Sequence, residues 1–172
     1  MKRGIWIAAG LGVAVLALVL LIPPFLASQR TSSAGSAWLS TLRTIHGAQE
    51  DFKGKDRDGN GKADFWRRDI AGLYTTKGKD GKEIGLIEVS TSRAETTPKA
   101  GYLYRAIRFA DETSGALDPQ RYAVCAFPST PDAGKNMAVL AQDGVIWLKA
   151  AAPGGVAVYP AEPAKEGWRK ID

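Results

Sequence analysis

The sequence predicts an α+β protein, a long N-terminal helix followed by a small antiparallel β-sheet. Three observations carry that expectation. An uncharged, largely apolar run extends from Gly4 to Leu26. Apolar residues then recur at three- and four-residue spacing at Trp38, Leu39, Leu42, Ile45, Ala48 and Phe52, the period of an amphipathic helix. Beyond Tyr102 the apolar period changes to two, the period of a strand, and helix followed by strands reads as α+β.

The first segment has the length of a membrane span. Ile5 to Ile22, continuing through Phe25 and Leu26, crosses a hydrocarbon core of roughly 30 Å at about 1.5 Å per residue. Lys2 and Arg3 precede it, and all other charged residues follow it. Keeping that basic end cytoplasmic places the rest of the chain outside. Residues 1–28 therefore read as a single-pass anchor in the inner (cytoplasmic) membrane, and 29–172 as one domain on the periplasmic or extracytoplasmic side. A cleaved signal peptide is the competing reading. The apolar run is longer than the usual ~7–15 residues of a signal core, and Phe25-Leu26-Ala27 places a bulky residue where cleavage wants a small one.

Pro23-Pro24 removes two backbone donors and predicts a kink or break. The helical pattern then resumes over about 34–52, with Ser36, Ser40, Thr41, Arg43 and Glu50 on its other faces. Leu39, Leu42, Ile45 and Phe52 form the expected packing stripe. The roughly 145 residues left outside the span suffice for one core. Cys125 is the single cysteine, so no internal disulfide is available, and it reads as a small buried hydrophobe. The net charge of +5 is modest and scattered; Lys77, Lys79 and Lys82 alternate with Gly78, Asp80 and Gly81 as a solvated turn, so no nucleic-acid partner is expected.

The most informative short segment is the loop over 56–64. It fits D-x-[DN]-x-[DN]-G, with Asp56, Asp58 and Asn60 at alternate positions and Gly61 at the sharp turn. Ca²⁺ takes six to eight hard oxygen ligands, and the Lys62 carbonyl and Asp64 would extend the set. An EF-hand places glutamate at the twelfth position, where this chain has Arg67, so Asp69 or water would complete the shell. That pattern implies a weak, structural calcium site. An ion-free turn rich in Asp, Asn and Gly is the plainer alternative. The loop would staple the helix to Phe65-Trp66, both expected in the core.

Downstream, Ile84–Val89 is apolar but too short to assign, and Ser90–Lys99 reads as a loop. Tyr102–Phe109 alternates, with Leu103, Ile107 and Phe109 opposite Tyr102, Tyr104 and Arg108. Tyr122–Phe127, Met137–Gln142 and Val145–Lys149 follow as strands, so the sheet spans about 102–149. Asp143-Gly144 predicts a hairpin with a two-residue type I′ turn. The tail through Val156–Pro160 adds an edge segment, and Trp168 docks on the domain.

These features together resemble the type II secretion pseudopilins and type IV pilin-like proteins. The likeness lies in the hydrophobic helix followed by proline, Ser40-Thr41-Leu42-Arg43-Thr44-Ile45 with Ala48-Gln49 and Phe52, and the later runs Asp69–Tyr74, Gly101–Tyr104, Tyr122–Pro128 and Asp143–Ile146. They are similar to a bacterial pseudopilin-like group with an Asp-rich loop before Phe-Trp. The resemblance implies a pilin-like fold, in which a helix half in membrane packs its other half on an antiparallel sheet. It also implies helix assembly into a short filament without enzymatic activity, and a calcium site that steadies the domain.

One departure matters. In that family prepilin peptidase cleaves between glycine and a hydrophobic residue, with glutamate fifth in the mature chain. Gly4-Ile5 would be the junction, but the fifth residue is Ala9. That glutamate neutralises a neighbour's amino terminus in an apolar filament core, where an unpaired charge is costly. The expected function is therefore a non-catalytic, membrane-anchored, pseudopilin-like component of a secretion or pilus-type assembly, minor or non-polymerising. Its partners would be membrane lipid and other pilin-like subunits. The alternative is a solitary tethered, calcium-stabilised binding module that presents Tyr102, Tyr104 and Arg108, although aromatic strand positions more often serve ordinary cross-strand packing. No small-molecule substrate suggests itself. His46 is the single histidine, it has no nucleophile motif beside it, and no catalytic residue is assigned.

Overall fold

A computed structural model describes residues 37–113 and 116–171 of the chain. The expected anchor, the Gly4-Ile5 junction, Ala9 and the first residues of the amphipathic helix lie outside them. Among the described residues no helix is long and apolar enough to cross a membrane.

Helix α1 covers 37–55. Its apolar spacing puts Trp38, Leu42, Ile45, Ala48 and Phe52 on one buried face, with Ser40, Arg43, Thr44, Gly47 and Glu50 exposed. Leu42 and Ile45 are fully buried, which stabilises the helix by roughly 1.5–3 kcal/mol for each side chain. Leu39 is only half-buried and packs at the rim of the stripe. The helix runs one turn-fraction past Phe52 and ends where Asp56 takes a left-handed conformation, φ 45°. Asp56 N–H donates to Lys53 O at 3.5 Å and Arg57 N–H to Phe52 O at 3.2 Å. That paired return is a Schellman closure, with aspartate in the place usually held by glycine.

Two one-turn helices follow, α2 (Gly72–Thr75) and α3 (Val89–Ser92). Strands β1 (Tyr102–Ile107), β2 (Ala123–Pro128), β3 (Asn136–Ala141), β4 (Ile146–Ala150) and β5 (Arg169–Ile171) form an antiparallel meander in chain order. The α+β expectation is met, with β5 added at the edge beyond the expected limit of the sheet. One cross-strand row is Tyr104, Ala126, Ala138 and Leu148; its two central alanines give α1 a close seat.

The sheet is covered on both faces. The face opposite α1 carries Cys125, Phe127, Met137 and Val139, packed with Val156, Tyr159 and Trp168 from the C-terminal tail. The tail approaches so closely that a Cβ on Gly155, which has φ +65°, would lie 2.6 Å from the Phe127 ring. Arg108, beyond the end of β1, bridges in parallel to Val158. Burial pushes the Cys125 thiol up to about 11, consistent with a structural rather than a reactive cysteine.

Two sequence expectations need correction. Tyr102 and Tyr104 lie beneath α1, 4% and 0% exposed, so the surface they were to form with Arg108 does not exist. Tyr102 stacks on Trp38 with ring centroids 4.4 Å apart, and the Tyr104 hydroxyl donates to Trp38 O at 3.2 Å. Alternation alone could not polarise a strand whose two faces are both buried. The second correction concerns the β3–β4 turn. Pairing ends at Leu140 with Ile146, and only Gly144 of the intervening loop has positive φ (+72°), so the type I′ turn is replaced by a longer one.

Candidate metal loop and the buried ion pair behind it

Asp56 is at once the terminator of α1 and the first residue of the Asp-rich loop. Its carboxylate accepts the Gly61 N–H at 3.2 and 3.3 Å and the Lys79 ammonium at 3.0 Å. Lys79 accordingly holds the Asp56 carboxyl below the usual carboxylate range. Asn60 organises the other side. Its Nδ2 donates to Asp58 Oδ2 at 2.9 Å and reaches the Asp64 oxygens at 3.4–3.5 Å. Its Oδ1 accepts the Lys62 N–H at 2.7 Å.

The loop thus brings together Asp58, Asn60 and Asp64, with Asp56 tied in through Gly61. This donor set suits a hard cation, which would replace the Lys79 ammonium and the Asn60 amide as the positive partners of the carboxylates. Asp69 is held elsewhere: its Oδ1 accepts the Gly72 N–H at 2.7 Å and the Trp66 indole N–H at 3.2 Å. Among the described residues no group of three or more His, Cys, Asp or Glu side chains is gathered as a metal cluster.

Phe65-Trp66, just past the loop, are tied to α1 and the sheet by contacts of their own. Gln49, 2% exposed, clamps the Trp66 backbone with both ends of its amide: Trp66 N–H to Oε1 at 3.0 Å and Nε2–H to Trp66 O at 2.7 Å. Phe65 is buried against Tyr122, and Trp66 packs edge-on to Phe52. Gln120 donates to Ala63 O at 2.9 Å from the opposite side.

Arg67, the residue that breaks the EF-hand pattern, has a partner the sequence did not reveal. It makes a fork with Glu112, Nη2 to Oε2 at 2.8 Å and Nη1 to Oε1 at 3.1 Å. Its Nη1 also donates to the Asp118 and Arg121 carbonyls. Glu112 further accepts the Phe109 and Asp118 N–H groups at 2.7 and 3.0 Å. Burial works to raise the Glu112 carboxyl, but Arg67 and the two backbone donors prevail and bring it down to about 2. The signal available in the sequence was negative: a cation stands where a metal ligand was expected.

His46 meets the Tyr122 hydroxyl through Nδ1 and sits against Gly144 of the β3–β4 loop. Burial pushes the Tyr122 phenol well above its usual range, so it remains a neutral hydrogen-bonding group.

No family model, curated protein or solved structure matches the chain. A functional reading therefore rests on residues and geometry alone.

Proposed function

We propose that the chain is a non-catalytic, membrane-anchored, pseudopilin-like component of a secretion or pilus-type assembly. On this reading it is held in the inner membrane by residues 1–28 with its domain on the outer side, and it is minor or non-polymerising. The observation that carries the proposal is α1 laid by its Leu42, Ile45 and Phe52 stripe on an antiparallel sheet. That helix continues a chain whose preceding segment has the length and apolarity of a membrane span.

The chemistry of the titratable groups supports a structural role. Glu112 serves Arg67, Asp69 serves Gly72 and Trp66, and His46 serves Tyr122. Calcium in the loop over 56–64 would fix the join between α1 and Phe65-Trp66. Ala9 in place of the filament glutamate favours a subunit that does not repeat.

The deciding experiment is intact mass spectrometry of the protein taken from native membranes, combined with cross-linking in those membranes. Cross-links to other pilin-like subunits are expected; an amino terminus at Ile5 selects pilin-type processing, and an intact Met1 or Lys2 selects an unprocessed anchor. A start near Ser28, or a strictly solitary monomer, would refute the proposal.

A further inference from the structure

The Asn60-Gly61 dipeptide carries a chemistry that neither the helix nor the cation reading uses. Glycine has no Cβ, so its backbone nitrogen can approach a preceding asparagine side chain without obstruction. The Lys62 N–H donates to Asn60 Oδ1 at 2.7 Å, which folds the carboxamide back over the Gly61 peptide and polarises its C=O. Gly61 has φ +79° and open space around its Cα, and its N–H donates to Asp56 Oδ1 at 3.2 Å. Both residues are exposed, so water reaches them.

We propose that Asn60-Gly61 is a self-modification site, where the chain deamidates itself hydrolytically through a cyclic imide. Gly61 N gives its proton to a solvent base and forms a bond to Asn60 Cγ. The Cγ–Nδ2 bond breaks, and the nitrogen takes a proton from water and leaves as ammonia. Water then adds to either carbonyl of the five-membered imide, leaving aspartate or isoaspartate at position 60. Water is the sole co-reactant, and nothing is oxidised or reduced.

The consequence is a change in what the loop requires. Asn60 Nδ2 is now the donor that lies between Asp58 and Asp64. Its replacement by an anionic oxygen sets like charges against each other and removes that donor. The modified loop must open or recruit a counter-cation. This inference is independent of the pilin-like reading.

The test uses the full chain in detergent, incubated in mildly alkaline buffer and digested with trypsin. Mass spectrometry of the peptide covering 58–62 scores the exchange of NH for O. Asn136, in β3 before Met137, is the only other asparagine and serves as internal control. The same incubation in urea gives the rate without the loop geometry. The expected result is conversion at Asn60 several-fold faster in the folded chain than in urea, with Asn136 unchanged. Asn60 left unconverted, or converted no faster when folded, overturns the proposal.

Discussion

Replacing Glu112 by glutamine tests the buried pair behind the loop. The substitution keeps the volume but removes the charge that faces Arg67, whose side chain is 7% exposed against 3% for Glu112. An amide also places a donor where Arg67, Phe109 and Asp118 already donate. Truncating one partner of such a pair costs roughly 3–5 kcal/mol, because the other charge stays buried without compensation. The depressed carboxyl gives a second measure: it falls from 4.5 to about 2, a gap worth roughly 3 kcal/mol. Glu112 ionises at lower pH in the folded chain than in the unfolded one. Its contribution is therefore fully present above about pH 4.5 and is lost as pH falls through about 2. Urea unfolding followed by tryptophan fluorescence should show Glu112→Gln less stable by about 3 kcal/mol at neutral pH. The two proteins should converge toward pH 2, where both lack the charge. A neutral-pH difference below about 1 kcal/mol, or one that does not shrink with acid, refutes the reasoning.

Two further outcomes are expected. Leu42→Ala, at a fully buried position between α1 and the sheet, should lower stability by roughly 2–5 kcal/mol in the same unfolding assay; a loss under about 1 kcal/mol would mean that α1 is not seated as described. Asp56→Ala combined with Asp58→Ala should lower the melting temperature more with calcium present than with chelator. Equal losses in the two conditions would remove the calcium reading of the loop.

The sequence made the large elements legible because each repeats a signal. The α1 stripe places an apolar residue at every turn, and the strands after Tyr102 alternate. Polarity was not legible where alternation met a sheet covered on both faces, so the period alone does not say which face of β1 turns Tyr102 and Tyr104 toward α1. The tail that covers the second face is short, rich in Pro and Gly and without period, so only Trp168 hinted at its docking. The loop over 56–64 could be read because its residues are neighbours in the chain. Arg67 and Glu112 are far apart in sequence, and nothing local marks a carboxylate in the polar stretch after Phe109 as the partner of an arginine before α2. Turn chemistry was half legible: Gly144 marked the hairpin, but Asp143 did not take the conformation that a type I′ turn needs.

The seat of Trp38 has a mechanical consequence. Force applied to the chain on the N-terminal side of Ala37 enters the domain through one stacked ring and one carbonyl, the Trp38–Tyr102 pair and the Tyr104 hydroxyl. Both hold α1 to β1, the strand at one edge of the sheet. Behind that grip, Leu42, Ile45 and Phe52 lie in series along the same helix. Tension drawn along α1 would load them in parallel as a shear rather than peel them one after another. The domain is in that sense built to be pulled on from its N-terminal end.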